Sequence, residues 1–240
     1  MRAVRILLIL LVVLGLLFVV VDRVAVHFAE GEVADRLKSS ENLSSTPDVS
    51  IKGFPFLTQL AGGELDDVEV GVKDYEAATG NDSRTLRIDD LRADMRDVTF
   101  SGDYSSATAA DATGTATIAY DELLKAAKPE PTPLGLGLTA QVVGLSDGGN
   151  GKIKMAVKVS GLGTVHLLSS VAVRNNKLRV KADGVPRFGG LALGENLIRS
   201  VTDFQQAVDR LPGGIRLDKV EAAANGVEIT VKGSDVRLAG

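Results

Sequence analysis

Ile153-Lys154-Met155-Ala156-Val157-Lys158-Val159 puts Ile153, Met155, Val157 and Val159 on one side of an extended chain and the lysines on the other. This is the period-two pattern of a half-buried β-strand. The alternation recurs on both sides of it, in Leu138 to Val143 before and in Val165 to Val173 and Leu178 to Ala182 after. Asp147 to Gly151, Gly161 to Gly163 and Asn175-Asn176 supply the turn residues between them, so the stretch reads as a meander of antiparallel strands.

The pattern extends outward from this block. Val49 and Ile51 form a short strand, and Leu65 to Tyr75 alternates through Val68, Val70 and Val72. A polar turn over Thr79 to Ser83 returns the chain into Leu86 and Ile88 as a hairpin. Around Leu91, Ala93 and Met95 the apolar parity changes after Asp89-Asp90 and again before Val98 and Phe100. Bulges must absorb these slips, and a long, bent strand is expected. Ala112 to Tyr120 is another strand, followed by a short helix capped by Asp121 and ended by Pro129. Pro129 to Pro133 reads as a loop. At the far end Ile215, Leu217 and Val220 pair across Asn225-Gly226 with Val227, Ile229 and Val231. No solenoid-type repeat is visible.

Helical signals are fewer. Leu197, Ile198, Val201, Phe204, Val208 and Leu211 fall at three- and four-residue spacing and predict an amphipathic helix stopped by Pro212-Gly213-Gly214. Gly53-Phe54-Pro55-Phe56-Leu57-Thr58-Gln59-Leu60, closed by Ala61-Gly62-Gly63, suits neither a helix nor a central strand.

Arg2 and Arg5 precede an apolar run from Ile6 to Val21 that stops at Asp22 and Arg23. From Val4 it is about 18 residues, the lower end of what spans a hydrocarbon core. The leading arginines keep that end in the cytoplasm and send the rest across. No pair of small residues suits a signal peptidase, so the run reads as an uncleaved single-pass anchor. Val24 to Lys38 continues as a helix, weakened at Gly31, and Ser39 to Asp48 is a linker. The expected organisation is residues 1–23 as anchor, 24–48 as juxtamembrane helix and linker, and 49–240 as one extracytoplasmic domain. The roughly 215 residues beyond the anchor are enough to bury a substantial core.

Several chemistries are poorly served. The chain has no cysteine, which removes lipoprotein acylation, disulfides and thiolate sites together. Its net charge is −4, and no basic cluster marks a nucleic-acid surface. Gly144-Leu145-Ser146-Asp147-Gly148 matches a nucleophile elbow on paper, but a hairpin loop and a strand follow where a helix is required. His166, the nearest base, sits in mid-strand. Gly135, Gly137 and Ala140 lack the strand-then-helix context of a dinucleotide site. Asp89, Asp90, Asp94 and Asp97 carry the oxygens calcium takes, but Arg87, Arg92 and Arg96 between them make a solvated strand face the better reading. No catalytic residue, metal ligand or cofactor is assigned. Asn42-Leu43-Ser44 and Asn81-Asp82-Ser83 are glycosylation triplets with meaning only in a eukaryotic secretory pathway.

What remains is apolar. Aromatics make up 4% of the chain while aliphatic residues abound, which suits a greasy lining as well as a plain core. Phe54, Phe56, Leu57 and Leu60 are core residues below a turn or one side of an apolar entrance. Val185-Pro186-Arg187-Phe188-Gly189-Gly190-Leu191 is a second such segment. With Leu197, Val201, Phe204 and Val208 of the amphipathic helix, Phe188 and Leu191 complete the candidate lipid-contacting set. Lys52, Arg187 and Arg199 are the cations near these segments and the candidates for a head group.

In Val49-x-Ile51-x-Gly53-Phe54-Pro55-Phe56-Leu57-Thr58-Gln59, and in Leu211-Pro212 through the Asn225-Gly226 hairpin, the chain resembles the LmeA-like phospholipid-binding family of actinobacterial envelope proteins. The resemblance implies an α+β fold, a curved and mostly antiparallel sheet wrapped around long helices as in tubular lipid-binding domains, with acyl chains held in an apolar interior. It implies no enzyme activity. The partners it implies are a phospholipid or envelope glycolipid, the membrane through the N-terminal helix, and proteins of envelope assembly. The competing expectation is an envelope scaffold with a solid core and a protein partner. A cavity for an acyl chain separates the two.

Overall fold

The computed structural model describes residues 2–40, 42–79, 84–103, 106–127, 130–135, 137–174, 177–184, 204–207 and 215–239. Helix α1 (Arg2–Ser40) is continuous through Gly31. After it come strand β1 (Asp48–Lys52), helix α2 (Phe56–Gly62), and the long strands β2 (Glu64–Thr79), β3 (Arg84–Phe100) and β4 (Ala107–Ala119). Helix α3 (Tyr120–Ala127) precedes β5 (Thr132–Gly135), β6 (Leu138–Asp147), β7 (Lys152–Val159), β8 (Gly163–Arg174) and β9 (Lys177–Ala182). Strands β10 (Phe204–Ala207), β11 (Ile215–Ala223) and β12 (Gly226–Ala239) complete the described chain.

The described strands form two six-stranded sheets, ordered β1-β2-β3-β4-β12-β11 and β10-β9-β8-β7-β6-β5. The second sheet is the expected meander, antiparallel at every step. The fold is therefore α+β, built on curled, mostly antiparallel sheets. Curling has local causes. Asp74, Asp97 and Asp235 adopt φ of 53°, 48° and 53° inside long strands, a left-handed conformation that aspartate tolerates better than most side chains. Asp97 lies where the sequence required a slip before Val98. In β6 the pairing with β7 instead shifts register between Val142 and Gly144, as at a bulge.

Four sequence expectations are corrected. Among the described residues the helices after α1 are short and not the long ones expected around the sheet: α2 and α3 have 7 and 8 residues. Phe56–Gly62 is a helix after all. Pro55 enters it in an extended conformation (ψ 136°), and Gly63 closes it at φ 75° with its N–H on the carbonyls of Gln59 and Leu60. Part of the proline loop is strand β5, where Pro133 is harmless because β5 lies at the sheet edge. Finally, Phe204–Ala207, expected in the amphipathic helix, is an antiparallel strand with Phe204 opposite Val180. The open edge of β9 supplies backbone partners, which outweigh the three- and four-residue spacing there. The rest of that predicted helix lies outside the described residues. A smaller adjustment concerns Asp121, which stands within the first turn of α3 and not before it, still favourably placed against the helix dipole.

The chain divides into two compact units, 1–72 with 92–112 and 233–240, and 73–91 with 113–232. In the first, Val26, Ile51, Phe56, Leu65, Val98 and Ala109 form the core, with Leu57, Leu60, Val68 and Met95 against it. In the second, Val142, Ile153, Met155, Val157, Val159 and Leu167 pack with Leu217, Val220, Ala222 and Val227 of the β11–β12 hairpin. Each such fully buried aliphatic side chain is worth about 1.5–3 kcal/mol. Tyr120 joins this core and donates from its hydroxyl to the Ala223 carbonyl at 2.7 Å. Burial, with the Asp147 carboxylate, pushes its phenol above the usual tyrosine range.

The β11–β12 hairpin forms where Asn225-Gly226 placed it, but for a different reason. Neither residue has positive φ. A Cβ on Gly226 would stand 2.2 Å from the Ile118 carbonyl oxygen, so the close approach of β4 is what requires glycine.

Candidate functional site

The first site segment is held by α1. The chain from Thr46 to Leu57 runs back alongside that helix and is fastened to it at three rungs, each eight residues further along α1. Lys38 Nζ donates to Thr46 Oγ1 at 3.1 Å. The Ile51 N–H donates to Glu30 Oε1 at 2.9 Å. The Leu57 N–H donates to Asp22 Oδ1 at 2.9 Å. Asp22, the residue that ends the apolar run, is 0% exposed. It also accepts from Arg23 Nη2 at 2.5 Å. Its carboxylate thus occupies the N-terminus of α2, where free N–H groups and the helix dipole favour an anion. Seven residues make a helix too short to persist alone; this cap from another element fixes it.

Within that frame the candidate residues separate. Phe56 is 4% exposed and belongs to the core of the first unit, with Leu57 and Leu60 packed against it. Phe54, two residues earlier, is 56% exposed, with the Arg23 guanidinium 5.3 Å from its ring centre. Arg23 also donates to the Gly53 carbonyl at 3.3 Å. Gly53 itself has φ 98°, and a Cβ there would collide with Gln59 Nε2 at 2.3 Å. Lys52 is paired with Glu69, the diagonal neighbour two residues along β2 from its register partner Asp67. The hydrogen bond to Glu69 raises the ammonium above its ordinary range, overcoming partial desolvation. Any head group at Lys52 must compete with that partner.

Phe188, Leu191, Leu197, Val201 and Val208, with Arg187 and Arg199, lie outside the described residues. Phe204 is placed by its backbone on β10. The structure therefore brings Phe56, Leu57 and Leu60 together. What sequence reading missed was Asp22, Arg23 and Glu30, taken only as the polar end of an apolar run. A buried partner for a charged residue directly after a span is invisible without the fold.

The catalytic alternatives fare worse in three dimensions. Ser146 stands in β6 opposite Lys154, and His166 in β8 opposite Ala156. With β7 between them the two lie two strand spacings apart, roughly 10 Å, beyond hydrogen-bond reach. The turn after Ser146 is a hairpin in which the Gly149 N–H donates to Asp147 Oδ1 at 2.8 Å, not the start of a helix. No group of three or more histidine and acidic side chains suited to a metal occurs among the described residues. On β3, Asp89 faces Arg87 at 3.5 Å.

A helix long and apolar enough to cross a bilayer, continuing into a curled α+β fold with aliphatic cores, defines a class: β-rich proteins with an N-terminal apolar helix. The chain belongs to the LmeA-like phospholipid-binding family, whose model matches residues 20–232. This is a lipid-binding family and not a known enzyme family. No curated protein and no solved structure matched the chain.

Proposed function

We propose that this protein binds phospholipid, or a related envelope lipid, in an apolar interior on the outer side of the cytoplasmic membrane, and hands it on without chemical change. The family match over residues 20–232 carries this reading. The aliphatic residues of the curled sheets support it, as does a membrane-crossing helix that ties the domain to its lipid supply. Enclosing an acyl chain yields roughly 0.8 kcal/mol per CH2, so shape suffices for affinity and a few donors suffice for head-group choice. Residues 1–23 serve as anchor and 49–240 as the lipid-binding domain, with α1 beyond Arg23 built into the fold and not a free stalk, since Val26 and Ala34 are buried. The partners in this reading are the membrane, its lipids and envelope-assembly proteins.

The test is native mass spectrometry of the full chain, because a shorter chain would lose Asp22 and Val26. One phospholipid per chain, surviving exchange into a second detergent, supports the proposal. Adducts that wash away, leaving a bare chain that does not reload from phosphatidylcholine vesicles, favour the scaffold with a solid core.

A further inference from the structure

Phe54 is a large, exposed aromatic held where solvent exposure has no evident purpose. Three observations fix its place. Along α1, the rungs at Lys38, Glu30 and Asp22 take successively Thr46, Ile51 and Leu57, so the returning chain descends toward the apolar run as it approaches Phe54. Asp22 has a short side chain, so its bond to the Leu57 N–H sets the turn between β1 and α2 at the level where the run ends. Arg23 then clamps that turn, through the Gly53 carbonyl and the Phe54 ring. From Val21 to Arg23 the helix rises only about 3 Å, against a polar head-group layer of about 5–8 Å on each side of the hydrocarbon.

A second apolar feature lies at the same end. Val24 and Phe28, one helical turn apart on α1, are both largely exposed, Phe28 at 78%, on a side of the helix that the first unit does not cover. The apolar surface of α1 therefore continues on one side past the charged pair that ends the run.

We propose that the Gly53-Phe54-Pro55 turn is a membrane-interface wedge: the Phe54 ring inserts among the lipid head groups beside the anchor, with Arg23 stacked on it and open to lipid phosphates. Its occupant is the bilayer surface that holds α1. Aromatic rings and arginine favour this depth, where one part of the group is apolar and the other wet. The consequence is a first unit held in fixed register against the membrane, not swinging on a stalk. This inference rests on the membrane placement of α1 and is independent of whether the interior holds lipid.

The chain has no tryptophan, so Phe54→Trp introduces a single reporter. The full-length variant is reconstituted into phosphatidylcholine–phosphatidylglycerol vesicles with and without brominated phosphatidylcholine, and Leu11→Trp reports separately on α1. The expected result is a blue-shifted Phe54→Trp emission, reduced by about half or more by brominated lipid and shielded from aqueous iodide, as for interfacial aromatics. Emission quenched by iodide and indifferent to bromine, while Leu11→Trp is quenched by bromine, overturns the wedge and leaves the anchor standing. A Leu11→Trp signal indifferent to bromine overturns both. Circular dichroism matching the parent chain confirms that the exposed substitution leaves the fold intact.

Discussion

Phe54 and Phe56 are two residues apart, and the structure assigns them opposite consequences. Phe56 is 4% exposed in the core of the first unit. Replacing it with alanine removes most of a ring from a packed site, for which the transfer and cavity costs together come to about 3–5 kcal/mol. Phe54 is 56% exposed. Its truncation loses part of a ring face and the stacking on Arg23, about 1 kcal/mol or less at such a site. Hydrogen exchange of the full-length chain in mild detergent separates the two. Phe56→Ala should speed exchange through β1, α2 and the facing part of β3 by about a hundredfold or more, as 3 kcal/mol implies. It should leave β7 and β8, in the other unit's core, little changed. Phe54→Ala should leave both regions close to the parent chain. Equal deprotection by the two variants, or deprotection by Phe54→Ala alone, would refute the division into a core residue and a surface residue.

Asp22→Ala should selectively raise exchange at Leu57 and across α2, because it removes the acceptor at that helix's N-terminus, while the β6–β8 amides keep their protection; an unchanged α2 would show that the rung carries nothing. Gly226→Ala should lower the thermal midpoint by several degrees in a circular dichroism melt, since forcing a Cβ to 2.2 Å from the Ile118 carbonyl costs about 1–3 kcal/mol or more. Gly31→Ala, where the added Cβ in mid-helix meets nothing within 4 Å beyond the local helix backbone, should stabilise by about 0.5–1 kcal/mol. Lys152, at 2.8 Å, and Ser170, whose hydroxyl donates at 2.6 Å, hold the Asp183 carboxyl below its usual range. A depressed carboxylate stabilises the fold above its ordinary value near 3.8 and loses that contribution as pH falls through the lowered one. The midpoint difference between the parent chain and Asp183→Asn should thus be present at pH 7 and vanish in strong acid. A difference constant across that range would remove Asp183 from the acid response.

Strand content was legible because a half-buried strand writes its burial into the sequence with period two. Ile153, Met155, Val157 and Val159 point one way, and the slip before Val98 located the left-handed Asp97. The apolar run was equally legible, since spanning length and composition are properties of a continuous segment. Helices were read less well. Phe56–Gly62 is too short to carry a periodic signal, and its capping anion comes from Asp22, 34 positions earlier in the chain. Phe204–Ala207 bears helical spacing but lies on a free strand edge. Such outcomes depend on what a segment meets, which no local pattern encodes.

The amino-acid sequence alone thus determined a helix long and apolar enough to cross a membrane, a mostly antiparallel β-rich body, an aliphatic interior without cysteine chemistry, and a family resemblance carried by the Gly53–Gln59 motif. Only the tertiary structure decided which phenylalanine of that motif is core and which is surface, and that Asp22, Glu30 and Lys38 fasten the returning chain to α1. The physical reason is range. Alternation, span length and composition are set within a few residues, whereas burial of one ring and satisfaction of one carboxylate depend on groups brought together from distant parts of the chain.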